Sequence, residues 1–240
     1  MSIYKFQKKP FLLLNLFSIL LILTWTFFPY RGYWDIIDSQ IFELTNKSLV
    51  YSDYWSVSWA ILSVRVADLL PLIFIVAFFY FDKVLFCTGK KLQGLVNFVS
   101  LLILMLIVRE GMDLYVELMK LERASPTLLF DSALRLSKMY PELPLKDSSL
   151  DSFPGDHAAV LFTWLGYSLF IIRNKFSWMV VAVVLIFIMP RVMAGAHWVS
   201  DILVGGLGIA LITLAFGIYT PILNKLNKYL FKLTVFFAKL

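Results

Sequence analysis

The sequence predicts an all-α fold: a polytopic membrane protein built as a six-transmembrane-helix bundle, with a loop-and-helix subregion on its outer side. Three observations carry this expectation. Of 240 residues, 60% are hydrophobic and 17% aromatic, and the mean hydropathy is +0.80, beyond the usual range of soluble domains. Six apolar runs recur at 11–30, 67–81, 93–108, 158–172, 179–190 and 202–220, and a helix crosses the hydrocarbon layer with about 20 residues. Charge is divided unevenly among the segments that join them. The whole chain, 1–240, reads as one membrane domain without internal repeats or low-complexity tracts.

The first run follows Lys5, Lys8 and Lys9 and ends in Phe27, Phe28, Pro29 and Tyr30 with no small-residue cleavage site. It is therefore expected to be an uncleaved anchor helix and not a signal peptide. In the segment 31–65, YWDIIDSQIF alternates apolar and acidic residues at near-helical spacing, which fits either a helix on the outer interface or a connecting loop. The third run is expected to extend past Arg109 toward Met119, and the fifth through Arg191 toward Ala196. Residues 120–156 hold most of the turn formers and form the one sizeable polar subregion. The tail 221–240 sets lysines among Leu, Phe and Tyr, a pattern suited to the inner leaflet. Trp25, Trp34, Trp55, Trp59, Trp178 and Trp198 lie near expected span ends and read as interfacial anchors. GGLG at 205–208 sits inside an apolar span, where small residues serve close helix packing and not a nucleotide loop.

Lysine and arginine are retained in the cytoplasm beside membrane spans. The expected inner segments carry twelve of the 22 basic residues and one of the 16 acidic residues, Asp82. Both termini are thus expected inside. The same lysines account for the net charge of +6 without a nucleic-acid partner. The lone Cys87 falls in an inner loop and excludes an intrachain disulfide.

Charged groups at the ends of spans are costly, so their presence points to function. The chain's two histidines both fall at expected outer span ends: His157 opens the fourth span, and His197 with Asp201 opens the sixth, while Arg191 closes the fifth. A spacing of four places His197 and Asp201 on one face of a helix, where the carboxylate can accept the Nδ1 proton and leave Nε2 as base or nucleophile. Arg191 offers a planar fork for phosphate oxygens, and Gly195 with its flanking alanines leaves room for a ligand. In PGDH, Asp156 is a candidate helix cap, which puts His157 in the first turn, ready to donate a proton to an anion. Two histidines with Asp156 or Asp201 lack a third histidine or cysteine outside, so no metal is expected. No serine stands in a nucleophile elbow, and no cofactor is implied.

Arg191, five residues, His197, three residues, Asp201 resembles the third signature of the type 2 phosphatidic-acid phosphatase superfamily, and PGDH resembles its second signature. The resemblance implies that His197 attacks phosphorus and becomes a phosphohistidine, Asp201 orients it, His157 protonates the leaving oxygen, and Arg191 with Arg123 holds phosphate. The first signature departs from the superfamily pattern: Arg123 precedes Pro126 by three, and Val116 stands where lysine is expected, with Lys120 the available substitute. RASPT, DSFPGDH and PRVMAGAHW, within the signature regions 120–126, 151–157 and 190–201, are similar to the branch of the superfamily that phosphorylates lipid A (Kdo2-lipid A). The similarity also touches RGYWDIIDSQIF. It implies undecaprenyl diphosphate as donor, the 1-phosphate of lipid A as acceptor, a Gram-negative inner membrane, and a periplasmic site.

Three readings follow. One is this phosphotransferase; the second keeps the site and lets water accept, giving a lipid phosphatase. The third, of another class, is a non-catalytic transporter or scaffold whose ionisable residues line a path. The catalytic residues do not separate the first two, and no pattern in the chain specifies an oligomeric state.

Overall fold

The computed structural model describes residues 6–80, 91–171 and 177–237. Among them no strand forms; one isolated bridge pairs Val64 with Leu145. In chain order come α1 (Lys8–Thr26), α2 (Tyr30–Ser48), α3 (Asp53–Leu62), a 3-10 turn (Arg65–Asp68), α4 (Leu69–Tyr80) and α5 (Lys91–Met119). Single turns at Pro126–Leu129 and Leu136–Met139 precede α6 (Asp156–Ile171) and α7 (Ser177–Met193). A π-helical stretch (Asp201–Gly206) runs into α8 (Leu207–Tyr219), and α9 (Ile222–Phe237) closes the chain.

Each of the six apolar runs forms a helix. Three helical stretches among the described residues are long and apolar enough to cross a membrane: Lys8–Thr26, Gln93–Met119 and Asp201–Tyr219; Ser177–Met193 is apolar but shorter. Helices α4 and α6 run up to residues outside the described set. Lys5, Lys83, Lys90, Arg173, Lys175, Lys239 and Cys87, on which part of the charge and redox reading rests, lie outside the described residues. The amphipathic YWDIIDSQIF belongs to α2; it is helix and not a connecting loop.

The apolar surface explains the hydropathy. On α1, Leu12, Leu13, Leu16, Phe17 and Leu20 are exposed, and the only buried residues are Ser18 and Trp25. Leu72, Ile73, Phe74 and Val76 of α4 are likewise exposed. Such a surface is stable in acyl chains and not in water. Helix α8 lies at the centre, with Gly208, Ile209, Ala210 and Leu214 buried, and Ser18 of α1 donates to the Gly208 carbonyl at 2.9 Å. Just before it, a Cβ on Gly205 would meet Pro154 Cβ at 2.8 Å and one on Gly206 would meet Ala158 Cβ at 2.6 Å. The small residues therefore let α6 and its leading loop press against this segment.

One core cluster joins α4 to α8 through Ile75, Phe98, Leu161, Val184 and Leu214. A second surrounds Trp25 with Met105, Phe153 and Val204. A third, Leu49, Ala60, Leu136 and Met193, fastens α2, α3 and the polar segment onto the end of α7. Two tryptophans expected as interfacial anchors are interior instead: Trp25 is 0% and Trp198 3% exposed, whereas Trp178 is 64% exposed. Trp25 stacks on Phe153 with ring centroids 3.8 Å apart, because that ring and the indole N–H both find partners inside the bundle.

Candidate active site

The end of α7 brings Arg191 and His197 together. Gly195 adopts φ +67, its N–H bonds to the Val192 carbonyl at 3.0 Å, and the next N–H, of Ala196, bonds to the Arg191 carbonyl at 3.0 Å. This pairing is the Schellman ending, for which glycine is the residue of least strain. The helix thus stops at Met193, short of the expected Ala196. The chain reverses, and the His197 N–H also reaches the Arg191 carbonyl at 3.3 Å. Gly195 does not make room for a ligand: a Cβ there would meet Thr127 Cγ2 at 2.6 Å and Phe42 Cε2 at 2.8 Å.

His197 therefore sits in a turn, before the helical segment that holds Asp201, and the shared helix face expected from their spacing does not form. Its Nδ1 lies 2.8 Å from the Ser152 carbonyl oxygen. Since a carbonyl only accepts, Nδ1 carries the hydrogen, and in the neutral ring Nε2 keeps its lone pair. Asp201 Oδ2 is 3.4 Å from Nδ1 and accepts the Trp198 N–H at 2.8 Å. Its Oδ1 is buried without a hydrogen-bond partner. The carboxylate stands beside the imidazole as expected, but the principal acceptor is the backbone of the DSFPGDH loop.

That loop is held by close backbone contact. The Gly155 N–H bonds to the Asp201 carbonyl at 3.0 Å, and a Cβ on Gly155 would approach that oxygen to 2.9 Å. Helix α6 begins at Asp156, so Gly155 occupies the cap position expected for Asp156. The Asp156 carboxylate is instead bound by Arg109 of α5, with Nε to Oδ1 at 2.9 Å and Nη2 to Oδ2 at 3.4 Å. His157 falls in the first turn of α6.

His157, Arg191 and His197 line one small cleft with Gly155, Ala158, Ile188 and Ile202. Arg191 is 3% exposed, and its Nη1 donates to the Lys146 carbonyl at 3.1 Å. His157 and Arg191 also border a larger groove of about 270 Å³, lined otherwise mainly by apolar residues of α4, α5, α6 and α7 such as Leu70, Leu72, Ile75, Phe98, Leu102 and Phe187. Polar groups thus meet at the end of an apolar channel, an arrangement suited to the head of a lipid. Among the described residues no group of three His, Cys, Asp or Glu side chains is placed to hold a metal ion.

Arg123 and Lys120 do not line the cleft. Lys120 takes φ 53 and ends α5, with the Leu121 N–H on the Val116 carbonyl at 2.9 Å; its side chain is exposed. The Arg123 guanidinium lies over the Trp198 ring at 3.9 Å and pairs with Asp38 at 2.6 Å and Asp35 at 3.4 Å. The Arg123 backbone carbonyl accepts from the Ser152 N–H at 2.8 Å, so this residue stands one residue's width from the His197 acceptor. Burial pushes the Asp38 carboxyl above the ordinary carboxylate range, against the opposing pull of Ser200 and Arg123. Sequence reasoning missed Asp38 and Ser152; the acidic pair in YWDIIDSQIF was the only signal for the former.

A histidine with one nitrogen fixed and the other bare, beside an arginine and a second histidine at the end of an apolar groove, is equipped to handle a lipid phosphate. Residues 119–222 match the PAP2 superfamily, a span that contains every site residue named above from Lys120 to Asp201. The chain belongs to this superfamily and is an enzyme of the lipid phosphatase type. It is similar in particular to lipid A 1-diphosphate synthase of Escherichia coli (strain K12), with 33% identity over 220 residues that cover 89% of this chain and 89% of that protein. No solved structure matches it.

Proposed function

We propose that the protein is a phosphotransferase that moves a phosphate from undecaprenyl diphosphate to the 1-phosphate of lipid A, giving lipid A 1-diphosphate and undecaprenyl phosphate. The observation that carries this reading is the His197 ring, with Nδ1 on the Ser152 carbonyl at 2.8 Å, in a cleft shared with His157 and Arg191. The similarity to lipid A 1-diphosphate synthase supports the acceptor.

In the first step Nε2 of His197 attacks the terminal phosphorus of the donor. The bond to the bridging oxygen breaks, its electron pair stays on undecaprenyl phosphate, and His157 supplies the proton. In the second, an oxygen of the lipid A phosphate attacks the phosphohistidine, the N–P bond breaks, and His157 recovers a proton from the acceptor. Asp201 steadies the imidazole as positive charge develops. Arg191 holds the phosphoryl oxygens; Arg123, whose charge is matched by Asp38 and Asp35, and Lys120 stand outside the cleft. Phosphoryl transfer asks mainly for positioning and charge stabilisation, which these side chains supply. The apolar groove takes part of a lipid chain.

The same reading makes 1–240 one membrane domain of six spans in a Gram-negative inner membrane, with cytoplasmic termini and a periplasmic site. Clustering of the ionisable side chains at one cleft favours it over a transporter or scaffold.

Purified protein given donor labelled in the terminal phosphate is expected to form a labelled covalent species that His197→Ala does not form. Full activity of His197→Ala overturns the mechanism. Label recovered in lipid A supports the transferase, and label recovered as free phosphate, with water as acceptor, replaces it by a lipid phosphatase.

A further inference from the structure

The stretch YWDIIDSQIF has no part in the chemistry above, yet Asp38 within it is a buried carboxylate, 1% exposed. It reaches across 162 residues of sequence to accept the Ser200 N–H on Oδ1 at 2.8 Å and the Ser200 hydroxyl on Oδ2 at 2.6 Å. Oδ2 also takes Nη1 of Arg123 at 2.6 Å. Ser200 Oγ in turn accepts from Arg123 Nη1 and from Trp25 Nε1, each at 3.2 Å, so its one hydrogen and both lone pairs are used. Ser200 lies three residues after His197 and directly before Asp201. Trp198, between them, is covered by the Arg123 guanidinium.

We propose that Asp38 is the positioning residue of the nucleophile turn: by gripping Ser200 at two points and Arg123 at a third, it fixes His197, Asp201 and the guanidinium relative to one another. The proposal rests on the reading of His197 as nucleophile. A buried carboxylate is costly unless its oxygens are matched. Here both oxygens are matched, and every partner belongs to or borders the reacting turn. Asparagine at this position keeps the volume and one acceptor but turns an NH₂ toward Arg123 and the Ser200 hydroxyl. A displacement of about 1 Å at a reacting centre costs about 100-fold in rate.

The test compares the wild-type protein with Asp38→Asn, both shown to be folded by thermal transition and monodispersity in detergent. Undecaprenyl phosphate release and covalent label are followed in a single turnover of labelled undecaprenyl diphosphate. Asp38→Asn is expected to be slower by about 100-fold, with little change in donor KM, because Asp38 does not touch the lipid. The charged groups facing this carboxylate are Arg123 and, through Arg123, Asp35. Asp38→Asn leaves Arg123 with Asp35 as its remaining carboxylate partner.

A wild-type rate in folded Asp38→Asn, or a loss confined to donor KM, overturns the proposal. If that variant does not fold, Ser200→Ala carries the test by removing one of the two contacts with the turn, and a wild-type rate there overturns it equally. Release of undecaprenyl phosphate without covalent label in the wild type defeats the phosphohistidine reading alone, since the release rate still reports on Asp38. If the wild type does not consume this donor, phosphate release from a short-chain lipid phosphate gives the same comparison.

Discussion

A histidine serves as a nucleophile when one ring nitrogen is held and the other is bare. Here the holding group is a backbone carbonyl, that of Ser152, with the Asp201 carboxylate behind it at 3.4 Å. On this view His157 gives a proton to the departing first product and takes one back from the acceptor. His157→Ala is expected to lower kcat with undecaprenyl diphosphate by about 10²–10⁴-fold, and far less with an aryl phosphate, whose leaving group needs no proton. Equal losses on both substrates, measured side by side, argue against a proton donor at this position. Both histidines and Arg191 were legible in the sequence, because ionisable groups at the edge of apolar runs demand a reason. The Ser152 acceptor was not legible, since a carbonyl belongs to every residue and only the path of the loop selects this one. Asp38 was hidden for a related reason: its partner Ser200 is 162 residues away.

At the scale of elements, the local signals fixed helix existence better than helix ends. His197 and Asp201 have the spacing of a helical pair, but Gly195 ends α7 and starts a reversal, so the pair is made across a turn. The Schellman hydrogen bonds from Gly195 and Ala196 are what set His197 against Arg191. Gly195→Ala is therefore expected to cost about 1–2 kcal/mol for the left-handed backbone, plus the contact with Thr127 Cγ2 at 2.6 Å. A fall in thermal midpoint accompanied by a fall in kcat is the expected result; unchanged values of both contradict this account of the turn. Asp156 shows the same limit of local reading. A capping aspartate and a first-turn aspartate differ by one residue, and the choice was made by Arg109 of α5, a partner from another helix.

For the whole molecule, a helix stands, among the described residues, at each of the six apolar runs, while length and burial separate their roles. Helix α1 is mostly lipid-facing and α8 mostly interior, a distinction that hydropathy does not carry because α1 and the stretch Asp201–Tyr219 that holds α8 are both long and apolar enough to span. The charge asymmetry predicts which end of the bundle faces outward. With Cys87→Ser as background, a cysteine introduced at Ser149 is expected to react with a membrane-impermeant thiol reagent in spheroplasts, and one at Lys228 only after permeabilisation. The reverse pattern overturns the orientation. One contact of α1 reaches further than its two buried residues suggest: Trp25 donates to Ser200 across 175 residues of sequence. Chains are synthesised from the N-terminus, so α1 leaves the ribosome long before the turn that its Trp25 helps to hold. On the proposed reading the nucleophile turn has no fixed position until residues through Ser200 have been made, and a chain stalled before them carries no assembled site.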